Sequence, residues 1–153
     1  MATRFLRQRR RLLIGAGLAC AMPRVQAQAQ PGWPAIPALS ALLGSRVLQA
    51  GRVTLDIPRL ADNGNAVPLT ITVDSPMTER DRVVAIHLFS ERNPRPRMAI
   101  IALGPDAGRA QVATRLRLAG TQHIVAVAEM ADGALWGAAT EVIVTQSACT
   151  DDI

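Results

Sequence analysis

Arg52-Val53-Thr54-Leu55-Asp56-Ile57 alternates polar and apolar side chains without an error, and Pro58 follows it. A period of two puts Val53, Leu55 and Ile57 on one face of a half-buried strand, and a proline ends the ladder because it has no amide to donate. The same period returns in Leu69-Thr70-Ile71-Thr72-Val73, closed by Pro76. Between the two, Asp62-Asn63-Gly64-Asn65 reads as a turn, since Asn-Gly accepts positive φ readily.

Further along, Val83-Val84-Ala85-Ile86-His87-Leu88-Phe89 is almost wholly apolar, the pattern of a central strand covered on both faces. Asn93-Pro94-Arg95-Pro96 then makes a rigid turn that continues neither a helix nor a central strand. Met98 to Leu103 gives another strand, followed by Val112 to Leu118, whose arginines alternate outward, and by His123 to Glu129. Asp132-Gly133 is a hairpin signal before Leu135-Trp136, and a last strand covers about Thr140 to Thr145. About seven strands with turn signals roughly every ten residues, and no long helical pattern between them, predict an all-β fold: an antiparallel two-sheet sandwich of immunoglobulin type. No Cys-Trp-Cys arrangement is present, so the sandwich holds without a disulfide.

Upstream, Gln30-Pro31-Gly32-Trp33-Pro34 is a breaker-rich linker. Ala38-Leu39-Ser40-Ala41-Leu42-Leu43 predicts a short amphipathic helix with Gly44 as its left-handed terminator. Leu39, Leu42 and Leu43 form its apolar face, expected to pack on the domain.

A chain of 153 residues supports one domain with an ordinary core. The formal charge of +5 suggests a nucleic-acid or membrane partner until its distribution is considered. There is no lysine, and six of the seventeen arginines fall before residue 28, where no acid occurs. From Gln28 onward eleven arginines face twelve acids, leaving −1, so nucleic acid is excluded as a partner.

The basic start, the apolar stretch Leu12 to Ala21 and the small residues around Val25-Gln26-Ala27 form an export signal over residues 1–27. Ten apolar residues are too few for a lasting membrane anchor. Arg9-Arg10-Arg11-Leu12-Leu13 fits the twin-arginine pattern, while a plain basic start is the competing reading. The expected mature protein is periplasmic, with a sandwich over 28–145 and a flexible C-terminal arm over 146–153. Cleavage removes Cys20, and the other reading of that residue, a lipoprotein site, has glycine where leucine is usual. Cys149 then stands alone in an oxidising compartment, without a partner for an internal disulfide.

The only Gly-x-Gly, Gly15-Ala16-Gly17, lies in the leader and is no nucleotide loop. His87 and His123 fall within strands, where a histidine is more often a hydrogen-bonded strand residue than a ligand or base. Met77, Met98 and Met130 read as core fillers rather than copper ligands, and Trp33 and Trp136 as packing residues. Cys149 with Asp151 and Asp152 makes a poor metal cage without histidine, so no cofactor is expected. The chain therefore lacks the parts of a stand-alone enzyme. Cys149 is open to two readings: a tethered carrier thiol held out on an arm, or an incidental cysteine that cross-links copies by disulfide.

Five stretches, taken in order, bear a family resemblance: Leu60 to Leu69, Asp74-Ser75-Pro76-Met77, Asn93-Pro94-Arg95-Pro96, Thr114 to Gln122, and Val125 to Gly133. Together they resemble SoxY, the sulfur-carrier subunit of the thiosulfate-oxidising complex. The resemblance implies an immunoglobulin-like sandwich, a SoxZ-like partner subunit, and Cys149 as the covalent attachment point for sulfur intermediates. It also implies service by a c-type cytochrome sulfur transferase, a sulfate-releasing hydrolase and, in some organisms, a sulfane dehydrogenase. A typical SoxY ends Gly-Gly-Cys-Gly-Gly, whereas this chain has Ser147-Ala148-Cys149-Thr150-Asp151-Asp152-Ile153. Replacing the glycines makes a stiffer, bulkier arm, and the carboxylates beside the sulfur repel an anionic adduct.

Overall fold

The computed structural model describes residues 32–148. The alternating stretch becomes β2 (Val53–Asp56), following a helix α1 (Pro37–Leu43) and a three-residue strand β1 (Leu48–Ala50). Then come β3 (Leu60–Asn63), a 3-10 turn (Gly64–Ala66), β4 (Val67–Val73), β5 (Val83–Ser90) and β6 (Arg97–Ala102). The chain completes itself with β7 (Ala110–Leu116), β8 (Gln122–Met130) and β9 (Leu135–Gln146).

Two sheets face one another as the sequence predicts. One runs β2-β4-β7 and the other β1-β9-β8-β5-β6, with β3 added beside β9. In β4, Val67, Leu69, Ile71 and Val73 alternate inward without interruption, and antiparallel pairing sets Leu55 opposite Ile71 and Val67 opposite Leu116. That register puts the apolar set of the small sheet on one surface.

β5 and β8 are covered on both faces, which is why their sequences lack alternation. Ile86, Leu88, Ile124, Ala126 and Ala128 fill the space between the sheets with Leu69, Ile71 and Val142. Phe89, Val125 and Val127 face the other way and pack against Ile36, Leu39 and Leu43 of the helical segment. The helix ends at Gly44, whose φ of 57° favours glycine but whose ψ of −114° departs from the left-handed helical conformation expected there; its amide donates to the Ser40 carbonyl.

Nine strands occur among the described residues, two more than the turn spacing suggests. Both additions, β1 and β3, run parallel to β9, in register Leu48 with Leu135 and Leu60 with Ile143. Neither is long or periodic enough to declare itself in sequence; the neighbouring β9 backbone makes them strands. The segment read as an Asn-Gly turn is thus strand up to Asn63, whose side chain accepts from the Asn65 amide at 2.8 Å. Leu135-Trp136 and the final strand are one twelve-residue element, because β8 pairs with it continuously from Glu129–Leu135 to Gln122–Val142.

Candidate functional site

The thiol singled out by sequence, Cys149, lies outside the described residues, as do the leader, Cys20, Asp151 and Asp152. The residue before Cys149, Ala148, is described. Beyond β9, Ala148 is buried at 3% exposure, and its amide donates to the Leu118 carbonyl at 2.9 Å. Leu118, fully buried, donates its own amide to the Gly64 carbonyl at 2.8 Å. The body therefore continues through Gln146, Ser147 and Ala148, three residues expected in the arm.

Several polar contacts hold Leu118 in place. Asn93 accepts from the Ala119 amide at 3.0 Å and from Gln122 Nε2 at 2.9 Å, while its own amide donates to the Arg117 carbonyl at 2.8 Å. Gln122, buried, also donates to the Gly120 carbonyl and accepts from the Arg92 amide. The Thr121 hydroxyl accepts from the Val144 amide at 3.0 Å, stitching the same loop to the last strand. Thr145 Oγ1 donates to the Asp62 carbonyl on the other side. The end of the sandwich around Ala148 is thus a hydrogen-bonded plate, with buried polar groups largely satisfied.

The histidines are held by separate carboxylates. His87 Nε2 lies 3.2 Å from Glu129, which also takes the Arg46 guanidinium at 2.9 Å. Arg46 beside Glu129 holds its carboxyl below the ordinary 4.5, with His87 assisting and partial burial opposing. Arg46 also donates to the Leu42 carbonyl, so this ion pair ties the end of α1 to the sheet. His123 Nδ1 sits 2.8 Å from Glu91 and is the main reason that carboxyl too lies below its ordinary value. His123 and Glu91 line an open groove of about 440 Å³ with Trp33, Arg59 and Glu141.

Met77 and Met130 are buried in the main core, and Met98 packs half-buried against it. Trp136 also packs on that core, under the Arg52 guanidinium at 5.6 Å, and Trp33 lies against the helical cluster. Among the described residues no three His, Cys, Asp or Glu side chains gather as a metal site. Nor is any helix of the described residues long and apolar enough to cross a membrane.

Gly64, Leu118, Asn93 and Gln122 escaped the sequence reading as functional residues. Asn63-Gly64 and Asn93-Pro94 gave turn signals. No local pattern shows that the backbones at 64, 118 and 148 meet.

Comparison with known proteins finds a family model, sulfur oxidation protein SoxY, that matches residues 39–149. Among solved structures, the sulfur carrier protein SoxY from Chlorobium limicola f thiosulfatophilum matches with a TM-score of 0.56 and 28% identity, covering 71% of this chain and 93% of that one. A superoxide reductase from Ignicoccus hospitalis shares the fold at TM-score 0.55 and 18% identity, over 61% of this chain and 80% of its own. One from Nanoarchaeum equitans does so at 0.52 and 15%, over 63% and 100%. A search of curated protein sequences finds no match.

Proposed function

The chain belongs to the SoxY family, and from that premise we propose that it is an exported sulfur carrier whose Cys149 holds sulfur intermediates covalently. The observation behind this reading is that the family match runs through the whole sandwich and ends on Cys149 itself. The thiolate of a cysteine is the nucleophile that sulfur chemistry requires.

The chemistry balances as follows. The Cys149 thiol and thiosulfate couple with loss of two electrons and a proton to give a cysteine thiosulfonate, R–S–S–SO₃⁻. The electrons pass to a c-type cytochrome. A hydrolase then adds water to the terminal sulfone, releasing sulfate and two protons and leaving the persulfide R–S–S⁻ on the carrier. The sandwich performs neither step: it presents the sulfur, and a SoxZ-like subunit joins it as a heterodimer. The leader supports a periplasmic location.

Intact mass under non-reducing conditions, on protein from cells fed thiosulfate, tests this. Additions of about 32 or about 112 Da on the C-terminal peptide are expected, removed by reductant and absent in Cys149→Ser. A disulfide-linked dimer with no sulfur additions would replace the carrier by the cross-linking subunit.

A further inference from the structure

We infer that Gly64 is a positioning residue for the carrier step, because it completes a backbone clamp that fixes the root of the arm immediately before Cys149. This rests on the carrier reading above. Leu118 is the middle of the clamp: its amide donates to Gly64 and its carbonyl accepts from Ala148, at 2.8 and 2.9 Å. The three backbones approach so closely that only glycine fits at 64. A Cβ there would land on the Leu118 carbonyl oxygen, 2.9 Å from the Ala148 nitrogen and 3.1 Å from the Gln146 carbonyl oxygen.

The usual reason for a glycine does not apply. Gly64 is absent from the glycines with positive φ, so it is required for space rather than for its torsion angles. Its burial and that of Ala148 mean that the clamp is closed off from solvent, where a backbone hydrogen bond is hard to exchange for water.

The consequence concerns reach. An arm starting at residue 146 would give the sulfur a spacer of several residues. With Ala148 fixed, one peptide unit separates the clamp from the Cys149 Cα, about 3.8 Å. A partner enzyme must then bring its reacting groups to the rim formed by the loops around Asn65, Asn93 and Thr121.

Two variants of the mature chain test the clamp without any sulfur compound. In the unaltered protein the Ala148 amide should be protected from hydrogen exchange, and Gly64→Ala should speed its exchange about tenfold. The Cys149 thiol should react with a maleimide on a long polyethylene glycol about tenfold more slowly than expected from its rate with iodoacetamide, a handicap the same substitution removes. Loss of thermal stability alone would not change that size discrimination. Inserting Gly-Gly between Ala148 and Cys149 keeps the clamp and lengthens the spacer. It should abolish the discrimination while Ala148 stays protected, whether or not Gly64→Ala folds. An unprotected Ala148 amide in the unaltered chain, or discrimination unchanged by the insertion, overturns the inference. Missing sulfur adducts on Cys149 would instead overturn the carrier reading and leave the clamp standing.

Discussion

At the level of single residues, the polar groups divide into those that are paired and those that are stranded. Glu129 is paired twice, with Arg46 and His87, and its carboxyl is held below 4.5, chiefly by Arg46. A lowered folded-state value favours the ionised form, so the stabilisation is complete above about pH 4.5 and disappears as pH falls through the folded value. Glu129→Gln should therefore lower stability at neutral pH by at most about 1 kcal/mol, given the partial exposure of the pair. The gap from the unaltered protein should narrow as pH falls below 4.5, measured by urea unfolding across pH. An undiminished gap there would assign the effect to packing rather than charge. Ser90 is the opposite case, a fully buried hydroxyl whose oxygen finds no partner among the described residues. Removing an unsatisfied polar atom of that kind relieves its desolvation, so Ser90→Ala should raise stability by about 1 kcal/mol, seen as a higher urea midpoint. A loss of that size would reveal a partner for the hydroxyl.

Among the elements, α1 has an effect out of proportion to its seven residues. It covers the outer face of β5 and β8, where Phe89, Val125 and Val127 share a buried cluster with Leu39 and Leu43. Leu39 is 2% exposed, whereas Leu60 on the edge strand β3 is 58% exposed. Leu39→Ala should cost about 2 to 4 kcal/mol of unfolding free energy and Leu60→Ala no more than about 0.5, read from chemical denaturation. Similar costs at both positions would mean that the helix is not part of the cooperative core. The helix and the alternating strands were legible from sequence because their signals are local: Leu39-x-x-Leu42-Leu43 before Gly44, and the faultless period of β2 and β4. β1 and β3 were not, because three or four residues show no period, and their partner β9 is far away in sequence.

For the whole molecule, charge is unevenly divided along the chain. All the excess positive charge lies before residue 28, in the stretch expected to be an export signal. Changing Arg9 and Arg10 together to lysine should stop export and leave precursor in the cytoplasm, judged by immunoblot of periplasmic fractions; an undiminished periplasmic yield would favour the general route. The sequence by itself determined the sandwich, the helix and the glycine that ends it, and it singles out Cys149 as the expected carrier thiol. Alternation, breakers and cysteine count need no knowledge of distant contacts. Tertiary structure alone decided that the body reaches Ala148: a strand pattern that fades near Thr145 says nothing about that residue, whose burial depends on backbone groups at Leu118 and Gly64. Hydrogen bonds between main-chain atoms leave almost no mark on side-chain identity, and here the one mark, a glycine, looked like a turn until the crowding around it was seen.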